Sequence, residues 1–319
     1  MVADGLRLRR LERPSADDLE RARRVVTSHL TPTPLVAAEL DGRAIWLKLE
    51  TAQPTGSFKV RGALAALSRL GVGAHVVACS AGNHALGVAY AAHELGVPAT
   101  VVVPETASSA KVAKLRTFDV ELVLAGESYG EAEDIALALA RERRARFLSP
   151  YNDTDVIAGQ ATLALEIADQ LPEVAHLVVP VGGGGLAAGC VLGSSPAVAI
   201  HGAQVVQNAA FAALMRGVPL SEEELDDTIA DGIAGSVEAD SLPLELLGEA
   251  PFDLTLVSEA SLRRSMRDAA LVLGVLIEGS AAVGLAAFRQ HRSWEGEIVV
   301  VLTGANVADD VMADVLGEG

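Results

Sequence analysis

The sequence predicts an α/β protein built on mostly parallel sheet. Three observations lead there. Short apolar runs alternate with amphipathic stretches of helical period, the joints between them are brief, and no repeat of roughly 20–50 residues marks a solenoid. Strands buried on both faces read as near-continuous apolar runs, which is how these runs read.

The elements follow in order. AIWLKLE (44–50) belongs to an N-terminal part that can pair with either half of the chain. HVVACS (75–80), ATVVVP (99–104) and VELVLA (120–125) predict strands. Each is followed by a predicted helix, in NHALGVAYAAHELG, SSAKVAKLRTF and ESYGEAEDIALALARE respectively. YNDTDVIAGQATLALEIADQL then opens a second run of helices and strands. HLVVPV (176–181) predicts a strand whose helix opens at GGGGLAAG, and AIHGAQ and EIVVVLTG read as further buried strands. The acidic stretch from about 217 to 253 is the least predictable and reads as poor in helix. The simplest division is a small domain, 75–148, inserted into a large one, 1–74 and 149–319.

Composition bounds the function. The 319 residues are half apolar, with only eleven aromatics, so alanine, valine and leucine carry the core. A net charge of -17 offers no basic field to phosphate backbones or anionic lipid, so neither nucleic acid nor membrane is expected as a partner. Cys79 and Cys190 form no CxxC and predict buried free thiols in a reducing compartment. With no apolar leader and no membrane-length apolar run, a cytoplasmic protein is expected.

Four motifs carry chemistry. In VPVGGGGLAAG, Gly182, Gly183, Gly184 and Gly185 with Leu186 follow a strand and open a helix. Side-chain-free backbone lets several N–H groups converge on one anion, and the helix N-terminus adds partial positive charge. A tight turn or close backbone packing explains the same glycines. A dinucleotide site is the weaker reading, because the acidic residue it wants about twenty positions on is Gln204 here. SAGNHALGVA (80–89) is a second strand-to-helix turn, where Ser80 to His84 present backbone N–H groups and Asn83 is also a candidate helix cap. Lys59, in PTGSFKVRGA, sits at the start of a helix, where the dipole disfavours a cation and so lowers a lysine pKa. LTGANV ends the last strand with Thr303, which serves equally as a cap for a helix near Val307.

Taken in this order, KLETAQPTGSFKVRGA, SAGNHALGVAYAAHELGVPATVVVP, DVIAGQATLALEI, VPVGGGGLAAG and LTGANV closely resemble the fold-type-II pyridoxal 5′-phosphate (PLP) enzymes, in the threonine/serine dehydratase and serine racemase branch. The likeness runs from about Ser15 to Asp310. It implies the tryptophan synthase β-like fold, with two open parallel-sheet domains covered by helices on both faces. It implies that Lys59 holds the cofactor as a Schiff base and that Phe58 packs on its ring. Asn83 would bond its phenolic oxygen, Gly182, Gly183, Gly184, Gly185 and Leu186 its phosphate, and Thr303 would face its pyridine nitrogen. Ser80, Ala81, Gly82, Asn83 and His84 would take the substrate carboxylate, and Asp231 and Ser236 are further candidates to reach substrate. Homodimerisation is implied as well, and no regulatory domain is expected after the catalytic part.

The implied chemistry is β-elimination of a β-hydroxy amino acid, such as L-threonine or L-serine, to a 2-keto acid and ammonia. A neutral hydroxyl at the pyridine nitrogen makes the ring a weaker electron sink, which favours prompt expulsion of a β-leaving group. Racemisation is not expected, because Ala81 stands where serine racemases carry a proton-donating serine. Several positions depart from the family pattern. Gln204 and Ala210 replace expected carboxylates, so no metal is expected there. Glu278-Gly279, Ser149-Pro150 and Ala161 replace Glu-Pro, His-Pro and a glycine, which keeps a specialised hydroxy amino acid open. Tyr129 aligns loosely with a substrate-binding arginine and is expected to be a core residue instead. The alternatives are a β-replacement synthase, disfavoured by Val60-Arg61 after the lysine, a nucleotide-binding oxidoreductase, and a catalytically silent PLP-binding sensor.

Overall fold

Runs of valine and leucine settle into two separate sheets in the computed structural model, which describes residues 9–218, 220–221 and 224–317. Residues 219, 222 and 223 of the acidic stretch, and residues 1–8 at the N-terminus, lie outside the described residues. Cα packing divides the chain into two units, residues 1–30 with 59–159, and residues 31–58 with 160–319. The expected block 75–148 lies wholly in the first unit, which also holds the segments on either side of it.

The first unit begins with α1 (Ala16–His29). Ser15 caps it in a reciprocal box: its hydroxyl accepts from Asp18 N–H while Asp18 accepts from Ser15 N–H. The chain returns as α2 (Lys59–Leu67), whose residues Val60 to Leu67 are all buried. Then β3 (Val76–Cys79), α3 (Asn83–Leu95), β4 (Ala99–Val103), α4 (Ser109–Leu115), β5 (Glu121–Leu124), α5 (Tyr129–Glu142) and β6 (Arg146–Phe147) alternate as predicted, and α6 (Thr154–Gln170) starts here. The parallel sheet runs β5-β4-β3-β6. Alternate residues of β3 face opposite cores: Val77 and Cys79 pack with Ala132, Ala136 and Ala140 of α5, whereas Val76 and Ala78 pack with Val88 and Ala91 of α3 and Leu64 of α2. Ser128 caps α5, and Gly96 closes α3 in the left-handed region at φ 63°.

An ionic cluster ties the N-terminal segment to the start of α6. The buried Asp155 carboxylate lies against Arg10, Arg21, Arg69 and Arg146, the last at 2.9 Å. Arg146 also grips Asp153 at 2.7 Å. Four guanidiniums around buried carboxylates offset the desolvation cost that a lone buried charge would impose.

The second unit opens with β1 (Leu35–Leu40) and β2 (Arg43–Leu49), a hairpin turned by Asp41 and Gly42 at φ 52° and 73°. AIWLKLE thus belongs to this unit. After α6 come β7 (Val174–Pro180), α7 (Gly185–Gly193), β8 (Ala199–Val205), α8 (Ala210–Met215), α9 (Leu242–Gly248), β9 (Phe252–Val257), α10 (Glu259–Leu271), α11 (Gly279–Gln290), β10 (Glu297–Leu302) and α12 (Asp309–Gly317). The sheet order is β1-β2-β10-β7-β8-β9, parallel except for β1. The acidic stretch, expected to be poor in helix, contains α9 and leads directly into β9. FDLTLV at 252–257 is a strand the sequence reading missed, because its apolar residues alternate with aspartate and threonine at the sheet edge. Both cysteines are buried and neither is in a disulfide. No helix among the described residues is long and apolar enough to cross a membrane.

Lys48 is fully buried, and its ammonium donates to Glu166 at 2.5 Å, to the Thr33 carbonyl at 2.8 Å and to Gln170 Oε1 at 2.8 Å. Thr33 in turn donates to the buried Glu50 at 2.7 Å, and Gln53 Nε2 donates to the same carboxylate at 3.0 Å. This network pins the end of β2 and the segment that leads to Gly56 and Ser57. Glu166→Ala removes the charge opposite a buried ammonium and is expected to cost about 3–5 kcal/mol of unfolding free energy in urea titration. A loss under about 1 kcal/mol, the range of exposed pairs, would contradict this placement.

Candidate functional site

The sequence-predicted residues divide between the two units, and each group is assembled by the end of a parallel strand. In the first unit, β3 ends at Cys79 and the chain turns through Ser80, Ala81 and Gly82 into α3. Ser80 Oγ accepts from Gly82 N–H at 3.1 Å, which holds the turn. Gly82 is the N-cap of α3 and no side chain caps the helix, so Asn83 is its first residue and not its cap. Uncapped first-turn N–H groups favour an anionic ligand here. Ser80, Ala81, Gly82 and Asn83 are part-exposed, whereas His84 is buried.

Lys59 starts α2 in the same unit. Its Nζ donates to the Pro150 carbonyl at 3.0 Å. His84 Nε2 faces the Leu148 carbonyl at 2.9 Å, and a carbonyl only accepts, so Nε2 carries the hydrogen. Burial first, and the neighbouring Lys59 charge second, push His84 down to about 3. His84 is therefore a neutral, positioned ring and not a proton donor. A Cβ at Gly87 would sit 3.0 Å from the Lys59 carbonyl, so α3 approaches the start of α2 closely. Ser149, in place of the expected histidine, is buried and accepts from Asn152 N–H at 3.1 Å, shaping the turn that presents Pro150. Burial pushes the Cys79 thiol up to about 12, which removes it as a nucleophile.

Tyr129, expected in the core, is instead 46% exposed, with its hydroxyl 3.5 Å from Glu133. It is the first residue of α5, at the open end of the face that carries Ala132 and Ala136, and burial of its hydroxyl pushes that group well above the usual phenol range.

In the second unit the glycine run follows β7. Gly184 caps α7 at φ 82°, with no side-chain cap, and a Cβ there would sit 2.5 Å from the Phe211 ring. Gly182 lies under the turn at 231–233: its Cβ would come 3.0 Å from Ile233 Cα. The turn continues the wall, since a Cβ at Gly232 would meet Ser280 Oγ at 2.8 Å and Glu278 Oε1 at 3.7 Å. Glu278 closes it by accepting from Asn306 N–H at 3.1 Å and lying against Gly304. Asp231 is thereby brought near the glycine run, whereas Ser236 is exposed beyond Gly235. Thr303 is buried directly after β10, the strand beside β7. It lies six residues before α12, so it does not cap that helix. Its carbonyl accepts from Phe58 N–H at 3.0 Å, and Ser57 bridges to Gly304.

Two of the departures have local causes. A Cβ at Gly279 would lie 2.2 Å from the Ile229 carbonyl, so a proline there would not fit. Gln204 is buried and its Oε1 accepts from Ala212 N–H at 3.0 Å, which spends it on seating α8. Among the described residues, no three His, Cys, Asp or Glu side chains are placed so as to hold a metal ion.

The residues present fit a phosphate-bearing cofactor. α7 offers an uncapped N-terminus behind side-chain-free backbone. Ser280 Oγ, in the wall beside it, is buried with no hydrogen-bond partner. Both are groups that an anion held at this place would satisfy. The lysine inventory adds an elimination that the sequence reading did not use. There are four lysines, Lys48, Lys59, Lys111 and Lys114. Lys48 is spent on Glu166, and the other two lie on α4. Lys59 alone stands beside a neutral histidine at the mouth of a strand-to-helix turn.

A family model described as pyridoxal-phosphate dependent enzyme matches residues 26–304. An L-threonine ammonia-lyase from Thermotoga maritima is 37% identical over 318 residues, covering 95% of this chain and 78% of that protein. Maize serine racemase superposes with a TM-score of 0.87 at 27% identity, covering 96% of this chain and 98% of the other. A T.th. threonine deaminase superposes at 0.84 with 34% identity, covering 92% and 99%.

The buried histidine makes the site sensitive to acid. The folded His84 value, about 3, lies below the ordinary 6.5 of an unfolded chain. Its contribution is therefore complete above about 6.5 and is lost as pH falls toward 3, because the unfolded chain takes up a proton that the folded one refuses. Urea titrations should show stability falling across that window, with a shallower fall in His84→Asn. Equal slopes in the two proteins would contradict the burial of a neutral ring.

Proposed function

We infer the chemistry from one premise: the chain belongs to the pyridoxal-phosphate dependent enzymes. Its fold is that of the fold-type-II members, and the cofactor is pyridoxal phosphate. The activity is that of a PLP-dependent ammonia-lyase, deaminating a β-hydroxy amino acid to a 2-keto acid and ammonia. The similarity to an L-threonine ammonia-lyase across 95% of this chain carries the reading.

Bound pyridoxal phosphate would draw electrons from the substrate's α-carbon, which acidifies the α-proton and permits loss of the β-hydroxyl. The chain's own residues do the rest. Lys59 would hold the cofactor through Nζ, and the same amine is the base placed to take the α-proton. The Pro150 carbonyl, 3.0 Å from Nζ, keeps that amine in place. Neutral His84 beside it supplies no competing acid. Gly182, Gly183, Gly184, Gly185 and Leu186 hold the phosphate through backbone N–H groups at the start of α7. Asn83 would donate to the phenolic oxygen, Phe58 would pack on the ring, and Thr303 would present a neutral hydroxyl to the pyridine nitrogen. Ser80, Ala81, Gly82, Asn83 and His84 would take the substrate carboxylate at the uncapped start of α3, and Asp231 would face the rest of the substrate, with the exposed Ser236 reaching it only from beyond Gly235. Ala81 has no proton to give to the opposite face of the α-carbon, so elimination proceeds without efficient racemisation.

L-Threonine or L-serine is the substrate this reading favours. A specialised hydroxy amino acid is the second reading, favoured by Tyr129, whose hydroxyl approaches Glu133 where the resemblance expects an arginine. As a functional division, a small domain of residues 75–148 is inserted into a cofactor-binding domain of 1–74 and 149–319. The enzyme is a cytoplasmic homodimer without nucleic-acid or membrane partners.

The test is 2-keto acid and ammonia release by PLP-loaded protein across both enantiomers of serine and threonine, with 3-hydroxyaspartate included. Release from L-threonine or L-serine is expected, falling about 100-fold or more in Lys59→Ala. Release from no member of the panel, or turnover retained without Lys59, would contradict the reading.

A further inference from the structure

Four rings stack at the N-terminal ends of β7, β8 and β9 in the second unit. His201 and Trp294 lie 4.0 Å apart between centroids, and Trp294 and His291 4.3 Å apart with parallel planes. His176 stacks on His201 at 5.2 Å. A hydrogen-bonded line runs through the first of these rings. His201 Nδ1 meets Asp253 Oδ1 at 2.5 Å, His201 Nε2 meets His176 Nδ1 at 2.9 Å, and His176 Nε2 meets the Glu295 carbonyl at 3.0 Å. Thr255 Oγ1 holds His291 Nε2 at 2.7 Å.

The hydrogens on this line can be counted. A carboxylate and a carbonyl only accept, so His201 Nδ1 and His176 Nε2 both carry hydrogen. The bond between the two rings needs one more N–H. Three N–H groups on two imidazoles is one more than two neutral rings possess, so the pair carries a single positive charge opposite Asp253.

We propose that His176, His201 and Asp253 form a one-proton clamp, in which a single shared proton locks the starts of β7, β8 and β9 to the turn carrying Trp294 and Glu295. When the proton leaves, one of the three hydrogen bonds must open, because only two N–H groups remain to fill three contacts. The flat face of Trp294 against His201 favours the charged pair by cation–π attraction.

The surroundings agree with this assignment. Burial first, then the neighbouring His201, holds His176 below its ordinary value, which agrees with one positive charge for the pair and not two. Burial works against ionisation of Asp253, yet its bond to His201 and the nearby imidazoles outweigh that and hold it below the usual carboxylate range. Among the described residues, the ionisable groups that bear on the pair are Asp253 from β9 and His291 from the end of α11. His176 precedes Gly182 by six residues of β7 and its exit, about 20 Å of extended chain. The clamp is thus separate from the glycine run, and its test does not involve the cofactor.

Trp46 and Trp294 are the two tryptophans of the sequence, so Trp46→Phe leaves Trp294 as the sole indole emitter. A protonated imidazole stacked on indole quenches its emission. In the Trp46→Phe protein, emission should rise in one single-proton step as pH increases from mildly acidic to mildly alkaline. Asp253→Asn should move the midpoint down by roughly one unit or more, since the opposing charge is gone. His201→Phe keeps the stack and should abolish the step, and it serves alone should Asp253→Asn not fold. No step in the parent, an unmoved midpoint in Asp253→Asn, or a step retained in His201→Phe, which would assign it to His291, overturns the clamp.

Discussion

The candidate site depends on a short piece of backbone pairing. Ser57 bridges to Gly304 and Phe58 N–H donates to the Thr303 carbonyl, so residues 57 and 58 are held at the end of β10 within the second unit. Lys59 is the next residue. Its side-chain amine, at the end of a flexible stem, is held by the Pro150 carbonyl at 3.0 Å. Pairing of this kind requires that Gly304 have no side chain, since a Cβ there would meet the Glu278 carboxylate at 2.7 Å. The buried network of Lys48, Glu166, Thr33, Glu50 and Gln53 supports the same segment from the other end. Catalytic placement and core packing are in this sense one problem.

Close approach explains residues that function alone does not. Gly184 needs its left-handed φ and the contact with Phe211, and Gly279 needs the space filled by the Ile229 carbonyl. Both lie on the wall that runs from the glycine run through the turn at 231–233 to Glu278 and Gly304. The packing reading and the phosphate reading of these glycines are therefore not rivals. A wall tight enough to exclude a Cβ is also one that leaves backbone N–H groups at the surface of the cup.

Local signals made most of the fold readable. The alternating strands and helices from 75 to 142 were legible because each element carries its own period, with local end signals such as Ser128 and Gly96. The Asp41-Gly42 hairpin turn was equally local but went unread, which left the N-terminal strand unplaced. β9 was hidden because an edge strand tolerates aspartate and threonine. Tyr129 is only part-exposed because it stands at the open end of the buried face of α5. The site residues stood in recognisable motifs, whereas their supports did not. Pro150, Leu148 and Glu278 act through a carbonyl or a contact made across long sequence separations, and His176, His201, Asp253 and Trp294 come from four segments that no spacing rule joins.

The central claim is that Lys59 is the residue that carries the cofactor. Its most direct measurement is borohydride reduction of the PLP-loaded protein, followed by peptide mapping by mass spectrometry. With only four lysines in the chain, the outcome is unambiguous. The account predicts the reduced cofactor on the peptide containing Lys59. Its appearance on Lys48, Lys111 or Lys114 instead, or on no lysine of a protein that has bound the cofactor, would contradict it.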